Sequence, residues 1–327
     1  MPATVKMGSM AERSPAERDT AEWYRAFAEE ARGQSAIYED WALSVASDRR
    51  LIALIERLPL QKRQPNLLFA TSRFLGAPEG GYGPFRDWLI ANWARVVPEA
   101  MRRMTQTNEP RRCASLLPAL GLLDGPLALL EVGASAGLCL YPDRYRYSYG
   151  AVTAGPASGV LLECATTGAV PVPSEAPEVA WRAGIDLDPL DVRDTEQMRW
   201  LTTLIWPEQD DRRRRLLAAI EIARAEPPLL FRGDAAARLA DVLARVPRGA
   251  RPVVVVSGVL VYLTAAERAA FVGLLRSLGV DWVSLEGRAA IPSIEAALPA
   301  RPGRFVLSLN ERPLAFSGAR GEWLDWL

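Results

Sequence analysis

The sequence predicts an α/β protein with two domains: a helical cap over residues 19–122, then a parallel sheet with helices over residues 123–327, behind a disordered lead-in at 1–18. Three observations predict it. From Thr20 to about Leu120 the apolar residues recur at the helical period, and no strand signal interrupts them. From Pro126 onward, short continuously apolar runs end at glycine or polar residues, as strands buried on both faces do. Helical stretches then separate those runs, the alternation that builds parallel sheets through crossover connections.

Each element follows from local chemistry. AEWYRAFAEEAR places Trp23, Phe27 and Ala31 four apart on one helical face. SAIYEDWALSVASDRRLIALIERLP reads as two helices parted near Ser47 and Asp48, with Asp48 as N-cap of the second. PNLLFATSRFLG starts a helix with Pro65 at its first position. GAPEGGYGP is a loop by its glycine and proline content, and FRDWLIANWARVVPEAMRRM resumes the helical pattern. Strands are expected at LALLEVG (127–133), WRAGIDL (181–187), PLLFRGD (228–234), PVVVVSG (252–258), VDWVSLEG (280–287) and RFVLSL (304–309). Helices are expected at 195–225, 235–246 and 264–279. Between the first two strands, RYRYSYG and GVLLECATTG suggest an antiparallel hairpin inserted at about 145–170.

Composition removes several chemistries. Lys+Arg and Asp+Glu both number 39, and the chain contains no histidine. Without histidine there is no Ser-His-Asp or Cys-His hydrolase, no HExxH metalloprotease and no His-ligated zinc deaminase. Lys6 and Lys62 are the only lysines, so Schiff-base chemistry has almost no candidate. Cys113, Cys139 and Cys164 are isolated and form no CxxC, which argues against structural zinc and suits a reducing cytoplasm. The first residues lack the apolar core of a signal peptide, and no apolar run of about eighteen residues occurs, so neither classical secretion nor membrane spanning is expected. Zero net charge without a basic tail argues against a nucleic-acid partner.

The loop Glu131-Val132-Gly133-Ala134-Ser135-Ala136-Gly137 admits three readings, each as a strand, a tight turn and a helix. As G-x-S-x-G it is a nucleophile elbow with Ser135, but nothing in the chain replaces the missing histidine base. As G-x-G-x-x-G it binds a dinucleotide, but Ser135 and Leu138 stand where glycines belong. As E-x-G-x-S-x-G it resembles motif I of the class I S-adenosylmethionine-dependent methyltransferases. Glycines that merely permit a tight turn remain the plain alternative.

That resemblance implies a Rossmann-like sheet and a set of cofactor contacts. Glu131 would serve the cofactor's amino group, while Gly133, Ala134, Ser135 and Gly137 would let the backbone approach its methionine moiety. Asp186, ending the second strand, would bind the ribose hydroxyls, with Asp188 and Asp191 as competitors. Asp234 and Ala235 would meet the adenine, or Asp234 would simply cap the following helix. Ser257, ending the fourth strand, would face the reacting methyl. A closer resemblance covers most of the chain: PNLLFA (65–70), QTNEPRRCASLLPAL (106–120), EVGASAGLCL (131–140), DRYRYSYG (143–150), GIDLDPLDV (184–192), RWLTTLIWPEQDDRRRRLLAAI (199–220) and GDA (233–235) are similar to signature blocks of a bacterial family of uncharacterised proteins. That family is placed with methyltransferase-like folds preceded by a helical domain, which supports fold and cofactor and leaves the substrate open.

Other residues have two readings each. Asn108 and Glu109 either contact cofactor and substrate or cap the helix begun by Pro110. Tyr141, Tyr145, Tyr147 and Tyr149 either pack across the hairpin or form a substrate wall, with Tyr145 the nominee. The Asp186, Asp188 and Asp191 spacing suits an ordinary acidic loop better than a magnesium site, and no resident metal is expected. Arg212 to Arg215 spread around a helix and read as a solvated face, and Trp200, Trp206, Trp323 and Trp326 as core or interface. The expected function is methyl transfer from S-adenosylmethionine to a small molecule held between cap and sheet. Any base must be a carboxylate or tyrosine, with Glu109 and Tyr262 nominated. An acceptor that is already an oxyanion needs none, which favours O-methylation. A cofactor-binding protein without transferase activity, or an enzyme that cyclises or cleaves the cofactor, would look alike in sequence.

Overall fold

In a computed structural model, residues 19–106, 108–298 and 305–327 are described; the lead-in expected at 1–18 lies outside them. The described residues form two compact units, one of 19–106 with 199–213 and one of 108–198 with 214–298 and 305–327.

The described part of the first unit up to Arg102 carries helices α1 (Thr20–Ala31), α2 (Ala36–Ser47), α3 (Arg49–Ile55), α4 (Pro65–Phe74), α5 (Tyr82–Ala91) and α6 (Trp93–Arg102). Asp48 caps α3 as expected, its side chain accepting from the Arg50 and Leu51 amides. The stripe of α1 is rotated from the expected one: Tyr24, Phe27, Ala28 and Ala31 are buried and Trp23 is not. The core is aromatic. Trp41 stacks on Phe85 at 3.7 Å between centroids, Phe69 meets both edge-on, and Trp206 closes on Phe27.

The second unit opens with α7 (Arg112–Leu120), which the helical pattern had grouped with the helices before it. Its strands in chain order are β1 (Leu127–Val132), β2 (Arg146–Tyr149), β3 (Val152–Ala154), β4 (Leu161–Glu163), β5 (Ala165–Thr167) and β6 (Val179–Asp186). Helices α8 (Thr195–Thr203) and α9 (Asp210–Ala225) follow, splitting the expected 195–225 helix at Pro207; their Arg199–Arg213 portion belongs to the first unit. Then come β7 (Leu229–Arg232), α10 (Ala235–Leu243), β8 (Arg251–Ser257), α11 (Ala265–Leu278), β9 (Asp281–Gly287), α12 (Pro292–Ala297), β10 (Phe305–Leu309), β11 (Arg312–Ser317) and β12 (Trp323–Trp326).

Nine strands form one sheet in the order β5-β12-β11-β10-β9-β8-β1-β6-β7. From β7 to β9 every pairing is parallel, and β1 lies between β6 and β8. Successive strands therefore leave β1 in opposite directions, which places a topological switch point at its carboxyl end. β10, the strand expected at 304–309, runs antiparallel to β9, and antiparallel β11 and β12 extend the sheet beyond the expected strands. β1 is buried along its whole length, as its unbroken apolar run requires.

Two expectations change between β1 and β6. No α-helix follows the glycine turn: Gly137, at φ 73°, leads into a single 3-10 turn, Leu138–Leu140. Pro142 and the alternating tyrosines beyond it do not sustain a helical pattern. The inserted hairpin exists, but its second arm is β3, and β4 lies parallel to β2 in a separate three-stranded sheet. Four tyrosine hydroxyls anchor this segment to backbone: Tyr141 donates to Glu226 O, Tyr145 to Leu138 O, Tyr147 to Pro142 O and Tyr149 to Ala114 O, at 2.6–2.7 Å. Packing is their role. Tyr145 is fully buried and so does not face an open substrate site.

Asp234 stands as N-cap of α10, its side chain accepting from Ala237 N at 3.0 Å. Asp234→Ala is expected to cost about 1 kcal/mol of stability, read by urea denaturation. A loss of cofactor affinity with unchanged stability would assign Asp234 the adenine contact instead.

Candidate functional site at the carboxyl edge of the sheet

The site is built around the turn that leaves β1. Gly133 takes φ 70° and Ser135 φ 52°, a left-handed conformation unusual for serine. Three neighbours hold this turn. The Gly133 and Ala134 amides donate to Ile185 O at 2.8 and 3.3 Å. Asp186, ending β6, accepts from Ser135 N with one oxygen and from Asp188 N with the other, both at 2.8 Å. Asn108 clamps the far side: its amide nitrogen donates to Ala134 O at 3.1 Å, and its oxygen accepts from Leu138 N at 3.0 Å. Asn108 is therefore a loop clamp, a role that its place before a proline-started helix does not disclose.

Glycines make the fit close. A Cβ on Gly184 of β6 would collide with Ala134, and one on Gly133 would lie 2.5 Å from a methyl carbon of Val259. Gly137 likewise approaches Pro228. These glycines serve the chain's own packing.

Two acidic residues are buried near strand ends, Glu131 in the otherwise apolar β1 and Glu286 in β9. Glu131 is only 4% exposed. Its Oε2 atom finds no hydrogen-bond partner among the described residues, and burial pushes its carboxyl well above the usual carboxylate range, against the lowering effect of Arg112. Glu286 accepts from Val259 N and Leu260 N with Oε1, at 2.8 and 3.2 Å, while its Oε2 is unpartnered among the described residues. Burial raises it to about 7 against those hydrogen bonds. Ser257 Oγ, at the end of β8, is a third buried oxygen without a partner there. Arg112 of α7 donates to Ser257 O at 2.7 Å and to Ala319 O at 3.2 Å. Arg112 and Glu286 were not singled out from sequence, although an acid inside VDWVSLEG is a signal of the same kind as the one inside LALLEVG.

The nominated bases separate. Glu109 is buried, accepts from Arg111 N and lies 3.5 Å from Arg215. It is a structural ion pair, and Arg215 leaves the solvated face expected of its arginine run. Tyr262 is 81% exposed in the turn after β8. Asp188 pairs with Arg232 and Asp191 with Arg193. Among the described residues no cluster of three metal-binding side chains forms, and no helix is long and apolar enough to cross a membrane.

The Glu286 shift has a consequence for stability. Unfolded, this carboxyl ionises near the ordinary 4.5; folded, it holds its proton to about 7. Its contribution is therefore fully present below pH 4.5 and is lost as pH rises to about 7, roughly 3 kcal/mol over the window. Denaturant melts at pH 5 and pH 7.5 are expected to show that slope flattened in Glu286→Gln. An unchanged slope would assign it to another group.

Fold and site together define an α/β protein with a parallel five-strand centre and buried, unpaired carboxyl oxygens at its carboxyl edge. The chain belongs to DUF2332, uncharacterized proteins conserved in bacteria, over residues 21–326. No curated protein and no solved structure matches it.

Proposed function

We propose that the protein binds S-adenosylmethionine at the carboxyl edge of β1 and transfers its methyl group to a small-molecule acceptor. The observation that carries this reading is the buried Glu131 carboxyl, with one oxygen unpaired, at the switch point of the sheet. An orphaned buried acid calls for a donor or cation, and the cofactor's ammonium group is both. Asp186 fits the ribose hydroxyls: it is half-buried, and each of its oxygens, after accepting one backbone amide, keeps a second lone pair. The E-x-G-x-S-x-G resemblance and the placement of β1 between β6 and β8 point the same way.

When bound, the cofactor supplies a methyl already activated by a positive sulfur. The chain's own residues then have three tasks. Glu131 neutralises the ammonium and fixes that end of the ligand. The Gly133–Gly137 turn, held by Asn108 and Asp186, supplies a preorganised backbone surface, so positioning carries much of the rate enhancement. Ser257 offers a hydroxyl at the end of β8. No histidine or free buried base is needed if the acceptor is a carboxylate or another oxyanion, so O-methylation is the favoured reaction. We assign no proton transfer to Glu109, which lies 3.5 Å from Arg215 in a buried ion pair.

Thermal melts with S-adenosylmethionine, S-adenosylhomocysteine and NAD test the proposal. The two sulfur cofactors are expected to stabilise the protein, by about 2.7 kcal/mol at one hundred times the dissociation constant. Stabilisation by NAD alone would overturn it.

A further inference from the structure

The residue assigned to the cofactor is shut away. Glu131 is almost fully buried, and the Gly133 turn beside it is covered by Val259. Val259 lies in a turn that runs from Gly258 to the N-cap of α11 at Thr264. Gly258 takes φ 66°, and a Cβ there would lie 2.8 Å from Arg112 Nη2. The turn is fastened by Glu286 and braced at its root, on β8, by Arg112. Arg112 donates to Ser257 O, and Glu286 accepts from the amides of Val259 and Leu260. The two residues lie on different elements, α7 and β9. At the tip, Val261 and Tyr262 are 67% and 81% exposed, the two most exposed large apolar side chains among the described residues.

We infer that the Gly258–Tyr262 turn is a lid, closed over the glycine turn and latched by Glu286, that swings about Gly258 to admit a ligand to Glu131 and Ser257, with Arg112 bracing the hinge through Ser257 O. The inference rests on the reading that Glu131 contacts the ligand. It deepens that reading by making Glu286 a positioning residue that acts through the Val259 and Leu260 amides. Opening breaks two hydrogen bonds to the Glu286 carboxyl group and withdraws Leu260, which is buried among core residues of α11 and α12. The closed form therefore dominates without ligand, and the exposed Val261 and Tyr262 are free to pack on whatever enters.

Amide hydrogen exchange of the full chain, without ligand, tests the lid independently of any cofactor. The Val259 and Leu260 amides are expected to exchange by local opening, faster than those of Val254 to Val256 in β8. Glu286→Leu, which removes the acceptor, is expected to accelerate them further. Glu286→Gln, which keeps an acceptor oxygen, is expected to restore slow exchange. Val259→Ala, a milder change, is expected to raise the open population roughly tenfold and to speed S-adenosylmethionine association to match. Exchange of these amides only through global unfolding, unaltered by Val259→Ala, would overturn the lid. If they open locally but S-adenosylmethionine neither binds nor changes their exchange, the lid stands and the cofactor reading falls.

Discussion

Glu131→Gln is expected to lower affinity for S-adenosylmethionine about a hundredfold while leaving the fold intact. Glutamine fills the same space, so the buried end of β1 keeps its packing, and a neutral amide replaces a carboxyl that burial already disfavours as an anion. What is lost is the charge-assisted hydrogen bond to the ligand's ammonium, worth about 1.5–3 kcal/mol. The pH dependence gives a second readout. In the empty protein the carboxyl lies well above its usual range. A facing cation lowers it, so binding expels a proton over the pH window between the two values. Affinity of the wild type therefore rises with pH across that window, and Glu131→Gln removes the slope. Equal affinity in both proteins would move the ammonium to another residue.

Arg182→Met is expected to be the most damaging single change away from Glu131, costing about 3 kcal/mol. Arg182 is buried on β6 and grips Asp143 with both terminal nitrogens, at 2.8 and 2.7 Å. It also donates to Leu140 O at 2.7 Å and lies over the Tyr141 ring. This clamp holds the chain as it leaves the glycine turn, where no α-helix is present to brace it. Its loss leaves half-buried Asp143 with only the Arg144 ion pair at 3.3 Å, so the double change Arg182→Met with Asp143→Asn is expected to recover part of the stability. Denaturant titration of the two variants measures this. Equal loss in both would mean that the charge pair contributes little and that packing on Tyr141 contributes most.

The parallel strands were legible because continuous apolar runs ending at glycine have few other solutions. Glu131 was legible for the complementary reason, as an ionisable group inside such a run. β11 and β12 were not, because RPLAFS and WLDW are short, mixed in polarity and paired only by the returning chain. The roles of Asn108, Arg112 and Arg182 were also hidden. Each acts on backbone carbonyls or amides far along the chain, between Asn108 and Leu138 or between Arg112 and Ser257. A bond to a backbone group leaves no mark on the identity of its partner. Tyr145 shows the same limit: alternation placed it in a hairpin, but only the fold shows its hydroxyl spent on Leu138 O. The absence of histidine keeps its use throughout, since the G-x-S-x-G outline has no base and Ser135 instead donates its amide to Asp186.

The most direct measurement is calorimetric titration of the wild-type protein with S-adenosylmethionine over a series of pH values upward from the usual carboxylate range, each repeated in two buffers of different ionisation enthalpy. The account predicts saturable one-site binding with net proton release, and loss of that release in Glu131→Gln. Absence of binding, or binding with no proton released, would contradict it.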